Sequence, residues 1–64
     1  MQPHQQRVVD EKNELDEKAK KLSEFIGNSD IFPLLDAAEQ ERLKAQSDIM
    51  RRYSEILGQR IAAF

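Results

Sequence analysis

The sequence predicts an all-α chain: an antiparallel helical hairpin with a short apolar connector or helical turn, assembling into a compact homo-oligomer. Three observations predict it. Two long stretches of strong helix formers flank a single break at G-N-S-D, Gly27 to Asp30. Apolar residues in both stretches recur at alternating spacings of three and four, the mark of helices packed along their length. The third is size: 64 residues make one domain at most, residues 1–64, and bury too little surface to be comfortable as a lone helical monomer. With no cysteine for a disulfide and one histidine, His4, which cannot hold a metal alone, self-association is left to supply the missing burial.

Helix one is expected over about 3–26. Pro3 suits a first helical turn, where its missing N–H costs nothing, and the stretch from there to Ile26 contains no glycine. Val8, Leu15 and Leu22 recur every seven residues, with Lys12, Ala19 and Ile26 completing the seam. Lys12 is the one strongly polar seam position, expected to bury its stem and leave its ammonium group in water. Gly27 suits the left-handed position that ends a helix, and N-S-D at 28 to 30 supplies turn formers.

The connector, about 27–35, holds Ile31, Phe32, Leu34 and Leu35 around Pro33, an apolar cluster suited to plugging the end of a hairpin. Helix two is expected over about 36–63, opened by Asp36 and Glu39 as a capping box, and spans about 40 Å. Leu43, Met50, Leu57 and Phe64 repeat every seven residues, while Ile49, Tyr53, Ile56 and Ile61 widen the apolar face beyond what one partner helix can cover. That excess points to another protomer. Gln46 on this stripe is a candidate for fixing register through a buried hydrogen bond. Gly58 admits two readings, a close approach of backbone or ligand and a tolerated surface glycine.

A net charge of −2 and an isoelectric point near 5.3 argue against a duplex nucleic-acid partner, which needs a basic stripe to displace counterions. No apolar run approaches the roughly 18 residues of a membrane span, and the amino terminus lacks the apolar core of a secretion signal, so the cytoplasm is the expected compartment. No cofactor is expected. Catalysis is disfavoured as well: there is no P-loop, no Gly-rich dinucleotide fingerprint, no His–Glu metal helix and no cysteine nucleophile. Glu14/Lys18 and Glu17/Lys21 are at the favourable spacing for ion pairs. Lys18, Lys20 and Lys21 therefore read either as a solvated face or as a phosphate site, in which Lys21 and Ser23 donate together. Arg51 and Arg52 beside Tyr53 form a second cationic cluster, although the spacing of Tyr53 matches the apolar face.

In order and spacing, the pattern R-V-x-x-E-x-x-E-L, then K-L-x-x-F-I, then Q-x-x-x-M-x-x-Y-x-x-I-L-x-x-R-I resembles a family of small phage proteins over nearly the whole chain. The family looks like the anti-CBASS sponges, helical proteins that assemble into homohexamers and sequester the cyclic nucleotides of bacterial immunity. The resemblance implies binding without turnover in the host cytoplasm, with cyclic dinucleotides and cyclic trinucleotides as ligands. It also implies a lysine near the end of helix one reaching phosphate, which Lys21 matches with Ser23 as neighbouring donor, leaving Lys18 and Lys20 to the solvated face. The family's stacking aromatic belongs near the start of helix one, where His4 is the available ring. Arg7 is a ligand contact or a partner of Asp10 and Glu11, and Arg51, Arg52, Gln59 and Arg60 are candidates for a trinucleotide pocket. The competing reading is a small helical structural or protein-interaction module with no nucleotide ligand.

Overall fold

A computed structural model describes the whole chain, Met1–Phe64. Two antiparallel helices, α1 (Pro3–Asn28) and α2 (Ala37–Ala62), are joined through a single 3-10 turn at Phe32–Leu34, and no strand is present. The rod they form measures 46 × 15 × 13 Å. Pro3 occupies the first helical turn as expected, and Gln5 Oε1 accepts a hydrogen bond from the Gln2 N–H at 2.9 Å.

The end of α1 differs from expectation. Gly27 lies within the helix, no residue in the chain has a positive φ, and the helix stops at Ser29, whose backbone is extended at φ −79° and ψ 139°. Ser29 does this through its own hydrogen bonds: its N–H donates to Phe25 O at 3.2 Å, and its hydroxyl accepts from the Ile31 N–H at 3.0 Å. A hydroxyl turn of this kind competes with the helical ladder and needs no left-handed residue.

Only part of the apolar connector seals the hairpin. Phe32 is buried and meets Phe25 edge to face at 6.1 Å, whereas Ile31 and Leu34 remain exposed. Gln40 ties the connector down, its amide donating to Leu35 O at 2.9 Å and Pro33 O at 3.3 Å. Asp36 caps α2 by accepting from the Glu39 N–H at 2.7 Å. The reciprocal half of the box is not made, because the Glu39 carboxylate turns to Arg42 at 2.8 Å.

The core is a single seam of Val8, Leu15 and Leu57, with Met50 and Ile61 packed on it, and Leu57 is only 1% exposed. Gln46, expected on this seam, is exposed and makes no hydrogen bond, so register is set elsewhere. The chain leaves 4971 Å² accessible, against about 4200 Å² for a compact monomer of this mass. On α2, Ile49, Tyr53 and Ile56 are among the large apolar residues left exposed.

Candidate functional site

The seam does not extend across the whole helix–helix contact. Beside it, Lys12, Asp16, Ala19, Lys20 and Ser23 of α1 face Ser47, Arg51, Ser54, Glu55 and Gly58 of α2 across a groove of about 390 Å³. The two sets have the same internal spacing, i, i+4, i+7, i+8 and i+11, which is one continuous helical stripe on each partner. Five of the ten residues are Ala, Ser or Gly. Their short side chains leave the space that larger residues would fill.

The floor of the groove is a three-residue staple between the helices. Lys12 Nζ donates to Asp16 Oδ2 at 2.9 Å and to Ser54 Oγ at 2.8 Å, and the Ser54 hydroxyl donates to Asp16 Oδ1. The Lys12 ammonium is thus held by the protein, with its side chain only 29% exposed, where the sequence predicted a head left in water. Gly58 lies beside this staple, and a Cβ built there would stand 3.4 Å from Lys12 Cε, an ordinary van der Waals distance. The close approach at Gly58 is therefore by a side chain of the opposite helix. The Ser54 hydrogen bond, aided by the hydrogen bond and charge of Lys12, holds the Asp16 carboxyl below its ordinary 3.8, and burial opposes this only in part.

Toward the connector, the groove presents Lys20, Ser23, Ser47 and Arg51. Arg51 Nη2 lies 3.2 Å from Asp48 Oδ1, but these side chains are 71% and 70% exposed, so the pair contributes little. The Glu55 carboxylate also borders the groove and pairs with no cation. The pairs expected at Glu14/Lys18 and Glu17/Lys21 do not form; the ion pairs are Lys12–Asp16, Glu39–Arg42, Glu41–Lys44 and Asp48–Arg51. Lys18, Lys20 and Lys21 consequently carry uncompensated ammonium groups. Arg7 is likewise without a carboxylate, as Asp10 accepts from the Gln6 amide at 2.9 Å.

Of the residues singled out from sequence, Ser23 and Arg51 line the groove; Lys21, Arg52, His4, Arg7 and Arg60 do not. Lys21 and Ser23 are two residues apart on one helix and so point roughly 160° away from each other. Arg7 stands about 21 Å along α1 from Lys21. The antiparallel arrangement places His4 and Arg7 at the same end of the rod as Arg60 in the last turn of α2. Arg60 shares a stripe with Ile49, Tyr53 and Ile56, at i, i+4, i+7 and i+11, on the side of α2 roughly 180° from the groove. One chain therefore offers two separate surfaces: a polar groove and an outer face where apolar, aromatic and cationic groups adjoin.

Sequence reasoning had not assigned Asp16, Ser47, Ser54 or Glu55, and had set Lys20 aside with the solvated lysines. The signal that marks them is the repeated spacing of small and charged residues on both helices, which acquires meaning once the helices are set side by side.

No helix is long and apolar enough to cross a membrane. A family model described as Sequestin matches residues 2–63. No curated protein and no solved structure matches the chain.

Proposed function

The chain belongs to the Sequestin family, and on that premise we propose that it is a phage anti-defence protein of the host cytoplasm. It binds and sequesters cyclic oligonucleotide messengers, cyclic di- or trinucleotides, without hydrolysing them, and so blocks activation of CBASS effectors. The observation that carries this reading is the set of ammonium and guanidinium groups left without carboxylate partners in an acidic chain, Lys20 and Lys21 at one end and Arg7 and Arg60 at the other. Unpaired cations beside hydroxyl donors are suited to phosphate.

Self-association accompanies this reading. The exposed stripe of Ile49, Tyr53 and Ile56 is the surface on which copies meet, and a homohexamer is the assembly we propose. Arg60 on the same stripe, with His4 and Arg7 at that end of the rod, then lies where neighbouring protomers converge. Joining protomers brings together cations that one chain holds about 20 Å apart, and concentrates positive potential that the acidic average conceals. Lys21 and Ser23 toward the connector, on different faces of α1, and Arg51 and Arg52 near the middle of α2 supply further contacts.

Calorimetric titration against cyclic di- and trinucleotides, linear dinucleotides and pyrophosphate-bridged adenine nucleotides, with chromatographic recovery of the ligand, tests the proposal. Tight binding of a cyclic member recovered intact is expected, and Lys21→Ala is expected to weaken it at unchanged oligomeric mass. Selective binding of a non-cyclic member would overturn the ligand class, and turnover would overturn sequestration. The same exposed apolar stripe also fits a helical protein-interaction module, and failure of every nucleotide to bind would favour that reading.

A further inference from the structure

We propose that the connector half of the interhelical groove is a phosphate subsite, with Lys20 and Ser23 of α1 and Ser47 and Arg51 of α2 as its donors. Lys20, which the sequence places among solvated lysines, thereby becomes a ligand contact on a different face from Lys21. As an anchor for a nucleotide phosphate the assignment rests on the sequestration reading; as an anion site it stands on the groove itself.

Four features of the groove carry the inference. All four side chains line the same groove of about 390 Å³, two from each helix. Lys20 has no carboxylate partner, and the Ser23 and Ser47 hydroxyls take part in no hydrogen bond. Their donor capacity is unused within the chain. Arg51 is engaged only with Asp48, through a contact exposed enough for a phosphate to displace.

The acidic residues of the groove are accounted for separately. Asp16 is occupied by Lys12 and Ser54, and its charge is matched there. Glu55 repels a phosphate at its own position and offers an acceptor for a ribose hydroxyl or a base N–H, so the ligand class is a nucleotide phosphate with hydrogen-bond donors beyond it. The staple at Lys12, Asp16 and Ser54 fixes the helices in register, keeping donors of the two helices on one groove before ligand arrives. Preformed donors avoid an ordering cost on binding.

Two probes separate the anion site from the nucleotide reading. In the first, inorganic pyrophosphate is titrated into the full-length ¹⁵N-labelled protein and amide shifts are followed. Shifts clustered at residues 20, 23, 47 and 51, lost in Lys20→Gln and in Ser47→Ala, are expected. Absence of shifts, or shifts spread evenly over Lys18, Lys21, Arg52 and Arg60, would overturn the subsite. In the second, the cyclic nucleotides are titrated into the same variants. A loss of about tenfold or more in affinity for Lys20→Gln is expected for a charge-assisted contact, with pyrophosphate competing. Wild-type nucleotide affinity in both Lys20→Gln and Ser47→Ala would overturn the anchoring role. A positive first experiment with no nucleotide bound in the second would leave the anion site standing and remove the sequestration reading.

Discussion

Ser54→Ala removes the hydroxyl that links Asp16 to Lys12 across the hairpin. Two hydrogen bonds are lost, the one accepted from Lys12 at 2.8 Å and the one donated to Asp16. Both partners are charged, which raises the value of each bond, but Lys12 is 29% and Asp16 47% exposed, so water takes over much of what is lost. The expected cost is about 1 kcal/mol, or a fall of roughly 4–8 °C in Tm for a domain of this size. The assay is thermal unfolding at fixed protein concentration, repeated from pH 7 to pH 2. Asp16 titrates below its ordinary 3.8 when folded, so the stability it contributes is present above that value and is lost as pH falls through the lowered folded pKa. In Ser54→Ala the principal cause of the lowering is gone, and the variant's deficit should narrow as the pH drops below that window. Parallel stability curves for the two proteins across the acid range would refute the coupling of Ser54 to Asp16.

Three other substitutions probe the packing and the faces. Leu57→Ala, at the most buried position of a very small core, should cost about 2–5 kcal/mol, read as loss of cooperative unfolding in circular dichroism. Gly58→Ala should stabilise by up to about 1 kcal/mol through helix propensity, because the 3.4 Å approach is to the flexible end of Lys12; urea denaturation decides the sign. Ile56→Glu, on the outer face of α2 and half exposed in the chain, should lower the assembled mass in light scattering while circular dichroism stays helical. An unchanged mass would move the self-association surface elsewhere.

Much of the hairpin was legible because its signals are local and periodic. The seven-residue recurrence of Val8, Leu15 and Leu22 marked the inward stripe of α1, buried at Val8 and Leu15 and half-buried at Leu22, and Asp36 marked the start of α2 through a hydrogen bond three residues long in sequence. The end of α1 was misread because Gly27 is the stronger statistical signal, whereas the deciding interaction is the Ser29 hydroxyl on Ile31. Gln46 was misread for a related reason. It belongs to the apolar stripe by spacing, but at the margin of a seam this narrow a side chain can turn outward.

The candidate site was less legible. Ser23 and Arg51 could be named from sequence as polar groups near a helix end and in a basic cluster, yet nothing local joins them. Lys21 looked like the natural partner of Ser23 because it is two residues away, and on a helix that separation sends the two apart.

The sequence by itself determined the two helices, the break between them, the seam that joins them and the family to which the chain belongs, because each is written in periodicity, in capping residues or in the order of motifs along the chain. Only the tertiary structure decided that Lys12 is stapled to Ser54 and Asp16 beside Gly58, and that Lys20 and Ser23 share a groove with Ser47 and Arg51. The physical reason is register. Contacts between residues some 40 apart in sequence depend on how far one antiparallel helix is slid along the other, a quantity that no single helix encodes.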